Sequence, residues 1–158
     1  MGCEVIEEIK KDSKDRIEEI LYNYRPAKAK AKVLITTSLN MSYSLKAIRY
    51  NEPSAKTNET ASDTENYIDK KEELKERGEM ILENVETIEE CLECLGPEEH
   101  DVIEYKYFDR LEDSDSAERL EVSIPTVQNK KRSALEQLEK VGLSEIYQEF
   151  ITILAVKA

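Results

Sequence analysis

The densest set of groups able to recognise another molecule runs from Ser123 to Arg132, in the segment SIPTVQNKKR. Gln128 and Asn129 carry amides, which can pair bidentately with adenine. Lys130, Lys131 and Arg132 supply cations for guanine edges or phosphate oxygens. Ser123 is a helix-capping type and Pro125 suits a first helical turn. Ser123 and Thr126, with the open N–H groups of a helix start, can hold a backbone phosphate. These eight residues are the candidate DNA-binding set. The plainer reading of the cationic run is a solvated helix face.

A second pattern, Cys91-x-x-Cys94, has the spacing of a metal or redox pair. No second C-x-x-C exists, and His100 is the only histidine. Zinc held by Cys91, Cys94, His100 and Cys3 is one reading. The other treats the two cysteines as small hydrophobes in a helical apolar repeat beside Leu92 and Leu95, with His100 as a first-turn surface residue. We adopt the latter and expect no metal and no cofactor. Catalysis finds little support. Four glycines form no phosphate loop, and the single histidine has no nucleophile beside it. The carboxylates are strung along helices among cations rather than paired for acid–base work. The chain reads as a binding protein and not as an enzyme.

The elements that must position Ser123–Arg132 are legible on either side. Pro97 opens a helix whose first turn holds Glu98, Glu99 and Asp101, suited to the positive end of the dipole. Val102, Ile103, Tyr107 and Phe108 form its apolar face. A short second helix starts near Asp113 or Ser114, with Ala117 and Leu120 inward and Val122 plugging the turn. The third helix, near 124–140, buries Val127, Ala134, Leu135 and Leu138 at helical spacing. That leaves Thr126, Gln128, Asn129, Lys130, Lys131 and Arg132 mostly outward. Three such helices describe a helix-turn-helix unit over 96–141, whose last helix enters the major groove.

The run L-G-P-E-E…V-I…Y-F…A-E-R-L…V-S…T-V…K-K-R-x-A-L-E-x-L resembles region 4 of bacterial sigma factors. With the upstream segment AKTNETASDTENYIDKKEEL, the chain resembles small phage regulators of the ArpU/RinA type from roughly Ser42 to Leu138. The resemblance implies a DNA-binding activator of phage late or packaging genes. By analogy it also implies contact with host RNA polymerase. Two positions depart from the pattern. Glu121 stands where such turns commonly have Gly, and must accept a positive φ or a different turn. Ser116 stands where the pattern usually has Ile, which weakens the grip of the second helix.

The net charge of −12 opposes DNA binding over the whole surface. The charge is uneven, however. Tyr22 to Tyr50 has 6 cations and no acid, whereas Asn51 to Glu121 has 24 acids and 8 cations. The acid therefore lies mostly upstream of the reading helix.

The expected architecture is all-α. An N-terminal helical region, 1–95, carries Val5, Ile6, Ile9, Ile17, Ile20, Leu21 and Tyr24 on an apolar stripe. A further helix begins at Pro26 and includes Lys28, Lys30 and Lys32. An extended loop near 42–61 follows, in which Tyr43, Lys46, Arg49 and Tyr50 either meet nucleic acid or pin the loop to the helices. A long helix near 62–95 begins at a capping box, Ser62 to Glu65. Its seam is Tyr67, Leu74, Ile81, Val85, Ile88, Leu92 and Leu95, with Gly78 allowing close packing or a bend. Its charged faces are solvated, or dock a basic partner.

After Gly142, a C-terminal apolar helix spans 142–158, with Ser144 as its cap. It packs on the helix-turn-helix or forms a homodimer seam. No membrane span or signal peptide is present, and the failed acylation pattern at Gly2-Cys3 leaves a cytoplasmic protein of a bacterial host. The expected partner is double-stranded DNA. The alternative is a protein-interaction module that binds RNA polymerase or another regulator without reading DNA.

Overall fold

The computed structural model describes the backbone of residues 13–51 and 58–156, and the side chains of 13–42 and 63–156. Within these the protein is all-helical, without a strand. A first helix, α1, covers 13–22. Asn23 alone separates it from α2 (Tyr24–Asn51), its amide donating to the Glu19 carbonyl oxygen at 2.8 Å. Pro26 falls in the first turn of α2, where no N–H is needed. The helix α3 (Asn58–Glu93) returns antiparallel to α2, and the two make the most extensive helix pair in the fold. Then come α4 (Pro97–Ile103), a π turn (Glu104–Phe108), α5 (Asp113–Leu120) and α6 (Ile124–Lys140). A 3₁₀ turn (Leu143–Ile146) leads into α7 (Tyr147–Ala155).

The main core forms between α1, α2 and α3, from Ile17, Ile20, Leu21, Ala27, Ala31 and Leu34 against Leu74, Ile81, Val85, Ile88 and Leu92. The seam expected from sequence is buried from Leu74 to Leu95, while Tyr67 is half-buried. Gly78 marks the closest approach of α2 and α3. A β-carbon there would lie 2.8 Å from Ile35 Cγ1 and 3.2 Å from the Ala31 carbonyl oxygen. Of the two roles open to Gly78, the structure uses close packing. A smaller core of Val102, Ala117 and Val127, with Leu120 against it, joins α4, α5 and α6. The helix-turn-helix unit thus has its own apolar centre, and Ile103, Tyr107, Ala134, Leu135 and Leu138 tie it to the main core.

Several expectations are corrected. Within the segment 42–61, the described residues 42–51 and 58–61 are helical and not an extended loop. Helix α2 continues to Asn51 and α3 already begins at Asn58. Leu45, Ala47 and Ile48 outweigh the neighbouring Ser and Asn as helix formers. Ser62, expected at the start of this helix, lies inside α3. The side chains of Tyr43, Lys46, Arg49 and Tyr50 are outside the described residues, as are Gly2, Cys3, Val5, Ile6 and Ile9.

The last helix is also shorter than expected. Gly142 adopts φ 88° as a left-handed stop, and Leu143 folds back to 1% exposure, but Ser144 sits in the 3₁₀ turn instead of capping. Helix α7 packs on α3, burying Phe150 and Ile153 within the chain. Lys30 donates to the Leu154 carbonyl oxygen at 2.7 Å and Arg77 to that of Val156, so cations cover the negative end of α7. Among the described residues no helix is long and apolar enough to cross a membrane.

Candidate nucleic-acid interface

The turn between α5 and α6 is built from backbone geometry that its residues do not favour. Glu121 takes the left-handed conformation, φ 56° and ψ 42°. Its N–H donates to the Glu118 carbonyl oxygen at 3.3 Å, and that of Val122 to Ala117 at 3.0 Å. This pair of bonds is a Schellman stop, normally closed by Gly. Val122 remains 36% exposed, so it does not plug the turn. Leu120 does so instead, against Val102 and Val127. Helix α5 starts at Asp113, as expected, but neither Asp113 nor Ser114 is its cap: the N-cap is Glu112, which makes no side-chain bond. Ser116 is 1% exposed and its hydroxyl has no hydrogen-bond partner. A buried orphan hydroxyl where an apolar side chain would fit weakens this contact.

Ser123 caps α6 as expected. Its Oγ accepts from the Thr126 N–H at 3.3 Å and lies 2.8 Å from the Thr126 hydroxyl. Pro125 has no N–H and that of Thr126 is taken, so the helix start offers fewer donors to phosphate than the sequence suggested. Val127, Ala134, Leu135 and Leu138 are buried as expected. Pro125, Gln128, Asn129 and Arg132 are exposed, while Thr126, Lys130 and Lys131 are only half-buried and belong to the flanks of α6. Glu136, one turn beyond Arg132, shares the outward face. Asn129, Lys131 and Arg132 make no hydrogen bond or ion pair among the described residues. Gln128 reaches Asp113 Oδ2 at 3.5 Å.

Sequence reading missed the seam between α4 and α6. Glu98 pairs with Lys130. Glu99 Oε1 accepts from the Ser133 hydroxyl at 2.8 Å and from the Gln137 amide at 3.4 Å, while its Oε2 is buried without a partner. Lys130, Ser133 and Gln137 recur at helical spacing, so two adjacent acids hold one whole flank of α6. No local signal marks such contacts, because the partners lie 32 to 38 residues apart.

The joint before α5 is irregular. The Asp109 N–H donates to the Glu104 carbonyl oxygen at 2.9 Å, closing the π turn, and Arg110 follows at φ 56°. Tyr107 in this turn packs edge-on against Tyr22, with ring centroids 4.9 Å apart. Burial, with Glu18 and Tyr22 nearby, pushes its phenol well above the ordinary range.

Three cations of α2, Arg25, Lys28 and Lys30, are tied to neighbouring elements. Arg25 pairs with Asp109 at 2.9 Å, and Lys28 with Glu89 at 3.1 Å. The Tyr24 hydroxyl donates to the same Glu89 oxygen at 2.8 Å. These two bonds hold the Glu89 carboxyl below the usual range, and burial raises the Tyr24 phenol. The basic segment therefore fastens α2 to α3, to the π turn and to α7. Tyr24, Arg25, Lys28 and Glu89, with His100 and Glu104, line a cleft of about 420 Å³.

Among the described residues, one group of three holds ligand atoms close enough for a metal: His100, Asp101 and Glu104, within 4.8 Å of one another. Neither Cys91 nor Cys94 joins it, and Cys3 is outside the described residues. Burial, with Cys94 and Glu90 beside it, raises the Cys91 thiol, which favours the protonated and unreactive form. Cys94 Sγ lies 3.6 Å from the Glu90 carbonyl oxygen, in the ordinary helical position.

No family model, curated protein or solved structure matches the chain.

Proposed function

We propose that this protein is a sequence-specific DNA-binding transcription regulator that reads the major groove with α6. The observation that carries this reading is the outward face of α6: exposed Gln128, Asn129 and Arg132 follow a capped helix start, beside a turn that sets α5 across α6. Side chains on the N-terminal half of such a helix reach base edges. Asn129 and Gln128 suit adenine, and Arg132 suits guanine. Lys131 suits a bordering phosphate. The resemblance to ArpU/RinA-type regulators extends the proposal to activation of phage late or packaging genes in a bacterial host cell, with RNA polymerase as a further partner. A second copy would add a half-site to a reading unit weakened at Ser116 and Glu121.

Enrichment of bound duplexes from a random-sequence pool tests the proposal. A preferred sequence should emerge, with affinity that falls steeply as salt rises. Arg132→Ala should cost roughly 1–3 kcal/mol and relax preference at one base pair. If no sequence is enriched and low-salt binding is absent, the protein-interaction reading takes over. The unpaired glutamates on the exposed face of α3, such as Glu79, Glu83 and Glu86, favour a basic protein partner in that case.

A further inference from the structure

The flank of α6 bears a cation that a groove-reading helix would place against the sugar–phosphate backbone, and that cation is already held. Lys130 points to one side of α6, away from the outward stripe of Asn129 and Arg132. There it meets Glu98, in the first turn of α4. The side chain of Glu98 is 72% exposed and that of Lys130 29% exposed. The carboxylate therefore sits at the rim, where an approaching phosphate would have to replace it. Glu99, on the inner side, fixes Ser133 and Gln137 on the same flank. The two neighbouring acids thus have different work. Glu99 anchors the helix, and Glu98 occupies its flanking cation.

We infer that Glu98 is an affinity-determining residue of the DNA site, acting as an internal competitor of the phosphate backbone for Lys130. The inference rests on the DNA-reading proposal above. A carboxylate and a phosphate present the same acceptor chemistry to an ammonium group, and only one can hold it closely. The competition lowers the sequence-independent part of binding, which comes from phosphate contacts. It leaves the base-reading face of Gln128, Asn129 and Arg132 untouched. The chain loses tightness, while the discrimination set by the base-reading face is unchanged.

The test is a double-mutant cycle on the full chain, with a mixed-sequence duplex of roughly 30 base pairs at about 50 mM salt as the probe. Glu98→Gln should tighten binding roughly two- to fivefold, the fold-change equivalent of an exposed ion pair. Lys130→Gln alone should change affinity less than Lys131→Gln does, because Lys130 is the cation already engaged. In the Lys130→Gln background, Glu98→Gln should give no gain. Helicity by circular dichroism should match wild type in each variant.

Two results overturn the inference while leaving the DNA-reading proposal standing. One is wild-type binding with no gain on Glu98→Gln. The other is a gain that persists without Lys130, which would mean through-space repulsion instead of competition. If neither wild type nor Glu98→Gln binds any duplex, the reading and the inference fall together.

Discussion

Glu121 and Ser116 carry the cost of the α5–α6 turn at the scale of single residues. A non-glycine residue in the left-handed region is strained by roughly 1–2 kcal/mol, and Glu121 has no side-chain bond in return. Glycine relieves that strain but loses more freedom on folding. Glu121→Gly should therefore stabilise the protein by a net of about 0.5–1 kcal/mol, read as a higher urea midpoint with an unchanged slope. An unchanged midpoint would show that the strain is no larger than glycine's added loss of freedom. Both positions stood out as departures in the sequence, because turn chemistry and apolar spacing are local rules. The Glu98–Lys130 pair did not, since nothing within a turn of either residue points to the other.

At the scale of elements, the α2–α3 pair sets the frame on which α4 to α6 are mounted. Ala27, Ala31 and Ser38 present small side chains along α2, and Gly78 lets the two backbones meet. Ser38 fixes the register by donating to the Lys71 carbonyl oxygen at 3.2 Å. Gly78→Leu should force the helices apart and cost roughly 1–3 kcal/mol, as overpacking does. Thermal unfolding checks this, and a variant as stable as wild type would mean that Ile35 simply rotates away. The apolar repeat from Leu74 to Leu95 announced α3, and the Ser123–Pro125 start with Val127, Ala134 and Leu138 announced α6. The extent of α2 was hidden, because Ser42, Ser44 and Asn51 read as loop composition.

At the scale of the whole molecule, the charge imbalance becomes a spatial arrangement. Arg25, Lys28 and Lys30 of α2 are engaged in holding the fold together through Asp109, Glu89 and the end of α7, while Lys32 stays exposed. Apart from Glu89, the described acids of α3 are exposed. On α6, Asn129, Lys131 and Arg132 are left for a polyanion. Composition could show that acid and base were segregated along the chain, but not which cations would be consumed internally. That depends on which helices meet. A protein of this kind should bind DNA weakly off-target and lose that binding at modest salt.

The bond between the Tyr147 hydroxyl and Glu19 Oε2, at 2.6 Å, joins helices from opposite ends of the sequence, 128 residues apart. The α2–α3 pair, by contrast, closes through neighbours in sequence. Contacts of small loop length form early, and those of large loop length form late. The clasp of α7 onto α1 should thus be absent at the folding barrier. Tyr147→Phe should speed unfolding while leaving the refolding rate near wild type, giving a φ-value close to zero in a stopped-flow chevron. The residence time of the folded state, more than its rate of formation, is set where the two ends of the helical chain meet.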